Sequence, residues 1–261
     1  MHLRFDRFFA DNLRKDRIGF AEVLSMKAIR EYGKLYLTII ACFTLAAILA
    51  ALAPGQDIPT SGEGSADIIY LDPGHGGEDG GAVSVTGVQE KSINLEIALR
   101  LRDLLHFCGR NVRMTREGDC AVYDDGCATI AQKKASDLRN RAAMLRETPG
   151  ALLLSIHQNQ YPEGKYRGAQ VFYNEAAGSK ALAEAMQAAL KGLDPDNRRE
   201  IKRSEGVYLM EHIENTAVLI ECGFLSNREE EQALRDEHYQ KKIACAVSAG
   251  LLNYISERST V

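Results

Sequence analysis

Residues 67–77 read DIIYLDPGHGG: a short run of Ile, Tyr and Leu, an Asp-Pro-Gly break, then a histidine set among glycines. A brief apolar run rich in β-branched and aromatic residues and closed by turn formers is the pattern of a buried strand. The pattern recurs at 110–115, 151–156, 168–173, 206–210 and 216–221, which with 67–72 makes six strand candidates. Between them, apolar residues return every three or four positions near 92–107, 137–146, 179–191 and 238–256, the period of helices that bury one face. Ser92 and Asp137 read as start signals for two of these helices. Strands alternating with helices predict an α/β fold: a single domain whose mostly parallel, mixed six-stranded sheet is flanked by helices.

Upstream, residues 54–66 are rich in Gly, Pro and Ser and read as a linker. Before it, Leu35 to Ala53 (LYLTIIACFTLAAILAALA) carries no charge. As a helix it would span roughly 28 Å, enough to cross a hydrocarbon core. Lys27, Arg30 and Lys34 precede it, while Asp57 and Glu63 follow. The positive-inside rule then predicts a single-pass N-terminal transmembrane helix, with residues 1–34 cytoplasmic and the region after Pro54 outside. Ala51-Leu52-Ala53 resembles a signal-peptidase site, but the long polar region before the run and Pro54 after it favour an uncleaved anchor.

The exported region is acidic. Residues 1–53 hold eight of the chain's 32 Lys/Arg and five of its 36 Asp/Glu, leaving 24 basic and 31 acidic side chains in 54–261. That balance argues against nucleic acid, whose binding requires Lys and Arg to neutralise phosphates. The six cysteines (42, 108, 120, 127, 222 and 245) form no CxxC pair, so no zinc ribbon or thioredoxin-like site is indicated. Cys42 and Cys245 read as packing residues, and Cys120 and Cys127 flank a short loop that they could bridge in an oxidising compartment.

Four polar residues fall where strands end or helices begin: His75 after the first strand, Glu90 before the first helix, His157 in SIHQN at 155–159, and Glu221 in IECGF at 220–224. In open α/β sheets ligands bind at that edge, so these four can converge. Two imidazoles and one carboxylate make a three-ligand zinc set that leaves a fourth position for water. An uncoordinated carboxylate must then accept the water proton and pass it to the leaving amine, and Glu221 is the candidate. Glu90 alone reads equally as a first-turn helix charge. Asp72 is placed either to orient His75 or to stabilise the turn. Glu78 and Asp79 read as solvent-facing, and Arg141 and Asn159 could contact substrate but read by default as surface or loop-structuring residues.

The segments DPGHGG (72–77), GVQEK (87–91), LSIHQN (154–159) and VLIECGFLSN (218–227) resemble, in this order, the zinc-dependent N-acetylmuramoyl-L-alanine amidases (amidase type 3) over roughly residues 67–256. The resemblance implies that His75, Glu90 and His157 hold Zn2+ and that Glu221 is the catalytic glutamate. It implies a peptidoglycan substrate cut between the lactyl group of N-acetylmuramic acid and L-alanine. The anchor and the lack of a wall-binding repeat resemble the short sporulation- and germination-specific members, implying a role in spore cortex maturation and muramic lactam formation. Such a chain would sit in the cell membrane with its catalytic domain extracytoplasmic, including the forespore intermembrane space. Autoinhibited relatives carry a long occluding helix where this chain has only Asn174 to Lys180, which points to control by an activating protein partner or by timed expression. Three rivals remain: a cysteine hydrolase using Cys222 with His157 as base, a zinc peptidase cutting within the stem, and an inactive wall-binding scaffold.

Overall fold

The computed structural model describes residues 67–259 together with Thr44. Thr44 apart, the expected anchor at 35–53 and the linker at 54–66 lie outside the described residues. Among the described residues no helix is long and apolar enough to cross a membrane. The chain order is β1 (Ile68–Pro73), α1 (Glu90–Phe107), β2 (Asn111–Met114), α2 (Ile130–Arg146), β3 (Leu152–Asn159), β4 (Gln170–Tyr173), α3 (Ser179–Lys191), β5 (Lys202–Arg203), α4 (Tyr208–Glu211), β6 (Ala217–Phe224), α5 (Arg228–Leu234) and α6 (Glu237–Arg258).

The strands form one mixed sheet in the order β2-β1-β3-β6-β4-β5, in which only the β4–β6 pairing is antiparallel. β1, β3 and β6 are buried on both faces, which is why they read as unbroken apolar runs. Ile69, Leu71, Leu152, Leu154, Ile156, Val218 and Ile220 face one way and pack on α1, α3 and α6 through Ile93, Ile97, Leu182, Met186, Val247 and Leu251. Tyr70, Leu153, Ala217 and Leu219 face the other way and meet Ala142 and Leu145 of α2 and Leu209 and Met210 of α4. Each fully buried Leu or Ile contributes about 1.5–3 kcal/mol, so the two-sided burial of the central strands holds the C-terminal ends of β1, β3 and β6 in fixed register.

Several expected boundaries move. The strand candidate at 206–210 is instead a single helical turn in which the adjacent residues Leu209 and Met210 are both buried. Period cannot separate a short buried strand from a helical turn. The sixth strand is Lys202–Arg203, a charged two-residue edge with no apolar signature. α2 starts at Ile130 rather than at Asp137, set by a capping box in which Thr129 and Gln132 satisfy each other's backbone N–H. α1 is preceded by Gln89, not Ser92. α5 is an additional helix, capped by the Asn227 side chain. Cys120 and Cys127 are both free, Cys245 is exposed on the solvent side of α6, and Cys42 is outside the described residues.

Asp137 and Arg141 prove to be buried fold-holding residues on the inner face of α2. Arg141 donates to Asp137 Oδ2 (2.7 Å), to Asp72 Oδ1 (2.6 Å), and to the carbonyls of Pro73 (3.0 Å) and His75 (2.8 Å). Asp72 also accepts from Thr115 Oγ1 (2.7 Å) and Ser155 Oγ (2.6 Å). Asp72 therefore ties β1 to α2 and does not orient the His75 ring. Burial alone would raise its carboxyl, but the Arg141 charge and these hydrogen bonds pull it down to about 2. With an unfolded value near 3.8, the stabilisation is full above about pH 4 and lost as pH falls through about 2. Arg141→Met, which strands this buried carboxylate, should lower unfolding free energy at pH 7 by about 3–5 kcal/mol and flatten the acid limb. Denaturant melts between pH 7 and 2 check this; a loss below about 1 kcal/mol would reject the network.

Candidate metal centre

β1 ends at Pro73, and the Gly74 N–H continues its ladder onto the Ile156 carbonyl of β3 (3.0 Å). The chain then turns sharply at His75, whose φ of 63° is left-handed and costly for a residue with a side chain. Arg141 holds the His75 carbonyl, while reciprocal Gly76–Asp79 backbone bonds close the turn (2.9 and 3.1 Å). Two glycines are required by space. A Cβ at Gly74 would lie 2.1 Å from the His157 ring, and one at Gly81 would lie 2.6 Å from Glu90 Oε2 and 2.7 Å from the His75 ring.

The structure brings His75, Glu90 and His157 together, with one donor atom of each within 4.8 Å of the others. His75 Nε2 is 3.2 Å from Glu90 Oε2, and His157 Nδ1 is 3.0 Å from Glu90 Oε1. Nitrogen and oxygen donors bound tetrahedrally at 2.0–2.2 Å lie roughly 3.3 Å apart, so the donor types and both imidazole–carboxylate distances fit a zinc-sized ion. Glu90 is buried and also accepts from Ala82 N (2.9 Å), Gln158 N (3.0 Å) and Asn94 Nδ2 (3.1 Å). Burial opposes its ionisation, yet hydrogen bonds from His157 and His75 and their charge hold it well below the usual carboxylate range. Burial would likewise depress His75, but hydrogen bonds to Asp79 and Glu90 and their charge push it up to about 9.

Asp79 orients His75. Its Oδ2 accepts from Nδ1 at 2.9 Å, which turns Nε2 toward Glu90, and this bond holds Asp79 below the carboxylate range. Glu78 is exposed and pairs with Lys133, so of the two acids expected to face solvent only Glu78 does. Nothing in the sequence marked Asp79, because its reach depends on an irregular glycine turn. Asn94 was more legible: it lies four residues after Glu90, on the same helix face.

Glu221 pairs in register with His157, so both side chains leave the sheet on the face covered by α2 and α4. Its Oε2 is buried without a hydrogen-bond partner. Burial, with the nearby Glu90 charge, raises its carboxyl to about 7 against the opposing pull of His157 and His75. It lines a cleft of about 450 Å³ with Phe172, Leu219 and Lys202–Glu205. The short Asn174–Gly178 connection lies at the opposite sheet edge, where Asn174 bonds the backbone of Asn215 and Ala217. Its length therefore does not decide whether the centre is covered. The segment that leaves β3 just after His157, 160–169, holds no helix.

A family model described as N-acetylmuramoyl-L-alanine amidase matches residues 69–253. The chain is 41% identical over 202 residues to the germination-specific N-acetylmuramoyl-L-alanine amidase of Bacillus subtilis, covering 77% of this chain and 83% of that protein. Among solved structures it resembles the CwlD amidase of Clostridioides difficile, solved in complex with the GerS lipoprotein (TM-score 0.71, 41% identity, 73% of this chain and 99% of that one). It also resembles the catalytic domain of CwlV, an N-acetylmuramoyl-L-alanine amidase from Bacillus (Paenibacillus) polymyxa (TM-score 0.63, 26% identity, 73% and 98%).

Because His75 must lose a proton to bind a cation, affinity for Zn2+ should rise about tenfold per pH unit between pH 6 and 8. Asp79→Asn, which loosens the ring, should weaken Zn2+ binding about 10- to 100-fold with little loss of fold. Competition with a chromogenic chelator measures both; pH-independent binding would reject the assigned donors.

Proposed function

The chain belongs to the N-acetylmuramoyl-L-alanine amidase family, and from that premise we propose a zinc-dependent hydrolysis centred on four of its side chains. His75, Glu90 and His157 hold Zn2+, and Glu221 is the catalytic residue for cleavage of the amide between the muramyl lactyl group and L-alanine. The observation that carries this reading is a buried Glu90 whose donor atom lies within 4.8 Å of those of two imidazoles, beside a buried Glu221 oxygen without a partner. When bound, the metal polarises the amide carbonyl and acidifies a water toward neutral pH. Glu221, near its midpoint at neutral pH, accepts the proton of the attacking water and returns it to the nitrogen as the C–N bond breaks. The products are a muramyl carboxylate and an intact stem peptide with a free amine. The cysteine alternative is disfavoured because burial pushes the Cys222 thiol far up, which withholds the thiolate. A peptidase acting within the stem could use the same four groups; the family match favours the amidase.

The finer placement rests on likeness and on residues 35–53. Identity with a germination-specific amidase supports action on spore cortex during muramic lactam formation. The charge-free stretch supports a single-pass membrane anchor with the catalytic domain outside the cytoplasm, including the forespore intermembrane space. The relative solved with a lipoprotein supports a protein partner as the control on activity.

Glu221→Gln should keep Zn2+ binding and lower kcat by about 10²- to 10⁴-fold, read by mass spectrometry of digested muropeptides for free intact stem peptides. Wild-type turnover in this variant would reject the assigned base. A chelator should abolish activity and a thiol alkylator should leave it intact; the reverse would restore the cysteine reading. The full chain should resist alkaline extraction from membranes, and release into the soluble fraction would remove the anchor.

A further inference from the structure

The cleft beside Glu221 has a second unpartnered group. Ser204 is 8% exposed, and its Oγ has no hydrogen-bond partner, although only its backbone N–H is needed to bond Tyr173 (2.8 Å). A buried hydroxyl left unpaired costs about 1–3 kcal/mol, so a polar group that enters this cleft and shifts the atoms covering the hydroxyl gains by pairing with it. The cleft's four charged residues differ. Glu221 belongs to the reaction, and Arg203 is tied to Glu175 (2.6 Å). Lys202 and Glu205 carry no ion pair among the described residues, so Lys202 is the cleft's available cation.

Sheet register sets the separation. Leu219 pairs with Phe172 and Phe172 with Lys202, so these side chains form a row on one face, the face of Glu221 two residues beyond Leu219. Two strand spacings across and two residues along place the Lys202 and Glu221 backbones about 12 Å apart. Leaning across the row toward Glu221, the flexible lysine stem can cover about half of that, leaving roughly 6–7 Å, the advance of two extended peptide residues. In a peptidoglycan stem, the residue two along from the scissile carbonyl is a γ-linked glutamyl unit whose α-carboxyl is either free or amidated.

We propose that Lys202 and Ser204 form a specificity subsite for this second stem residue, Lys202 Nζ pairing with a free α-carboxylate while Ser204 Oγ hydrogen-bonds the adjoining peptide group. The inference rests on the amidase reading above and adds to it a preference for non-amidated stems. Glu205, facing the same cleft, disfavours a carboxylate displaced toward it, which confines the anion to the Lys202 end.

The test uses the detergent-solubilised, zinc-loaded full chain and two muropeptides that differ only in carboxylate or amide at that position. Wild type should favour the carboxylate form about three- to tenfold in kcat/KM, mostly through KM. Lys202→Gln should erase the preference by lowering kcat/KM on the carboxylate form about three- to tenfold. Ser204→Ala should raise KM about three- to tenfold on both substrates and leave the melting temperature equal or higher, because the hydroxyl it removes has no partner. Equal wild-type kcat/KM on the two forms, or a parallel loss on both in Lys202→Gln, overturns the subsite and leaves the amidase reading standing. Wild-type KM in Ser204→Ala removes Ser204 from it. Failure of wild type to cleave either form removes the amidase reading and the subsite together.

Discussion

One buried carboxylate, that of Glu90, organises the centre. An ionised carboxylate away from water is destabilising by several kcal/mol unless its lone pairs are filled. Here two backbone N–H groups, one amide and two imidazoles converge on it from the 74–82 loop, α1 and the end of β3. The carboxylate can be satisfied only when all three segments are in place. The same condition that makes Glu90 tolerable therefore brings His75 and His157 within reach of one ion. Gly74 and Gly81 are where side-chain carbons would prevent that approach.

Glu221 shows the opposite treatment. It sits one strand over from His157, yet no N–H or hydroxyl reaches its inner oxygen, and burial brings it toward neutrality while Glu90 is held ionised. In the proposed reaction two carboxylates whose surroundings push them apart would divide the work, one held as a negative donor and one exchanging a proton. Occupancy by a cation would draw Glu221 further toward its ionised form, since it adds a positive charge beside His157.

The parts legible in the sequence were those governed by period and by strand ends. β1, β3 and β6 could be read because burial on both faces demands continuous apolar runs, and His75, His157 and Glu221 because they break those runs at a common edge. Glu90, by contrast, gained its meaning from the surrounding motifs rather than from its own position. What escaped was long-range or irregular: β5, held by pairing alone; Asp79, delivered by a glycine turn; and Arg141, which a helix pattern cannot distinguish from a surface arginine. Asp72 was visible as a strand-end acid, but its partner lies 69 residues away, so its role as the β1–α2 tie was not.

The direction of β4 explains why a cleft opens beside Glu221 at all. A parallel strand there would end at the C-terminal edge of β6, and its following crossover would leave the sheet beside the carboxylate. Because β4 is antiparallel, it begins at that edge, with Gln170 opposite Glu221, and ends at the far edge beside Val218. Its onward connection to α3 is thus carried away from the centre. What remains next to Glu221 is the short charged edge β5 and the residues after it, which border the cleft without roofing it. Access to Glu221 is in this sense a property of topology, set by the reversal at β4 that β5 shares, and the residues placed to meet a substrate in the proposed reaction are those on the edge that the reversal leaves exposed.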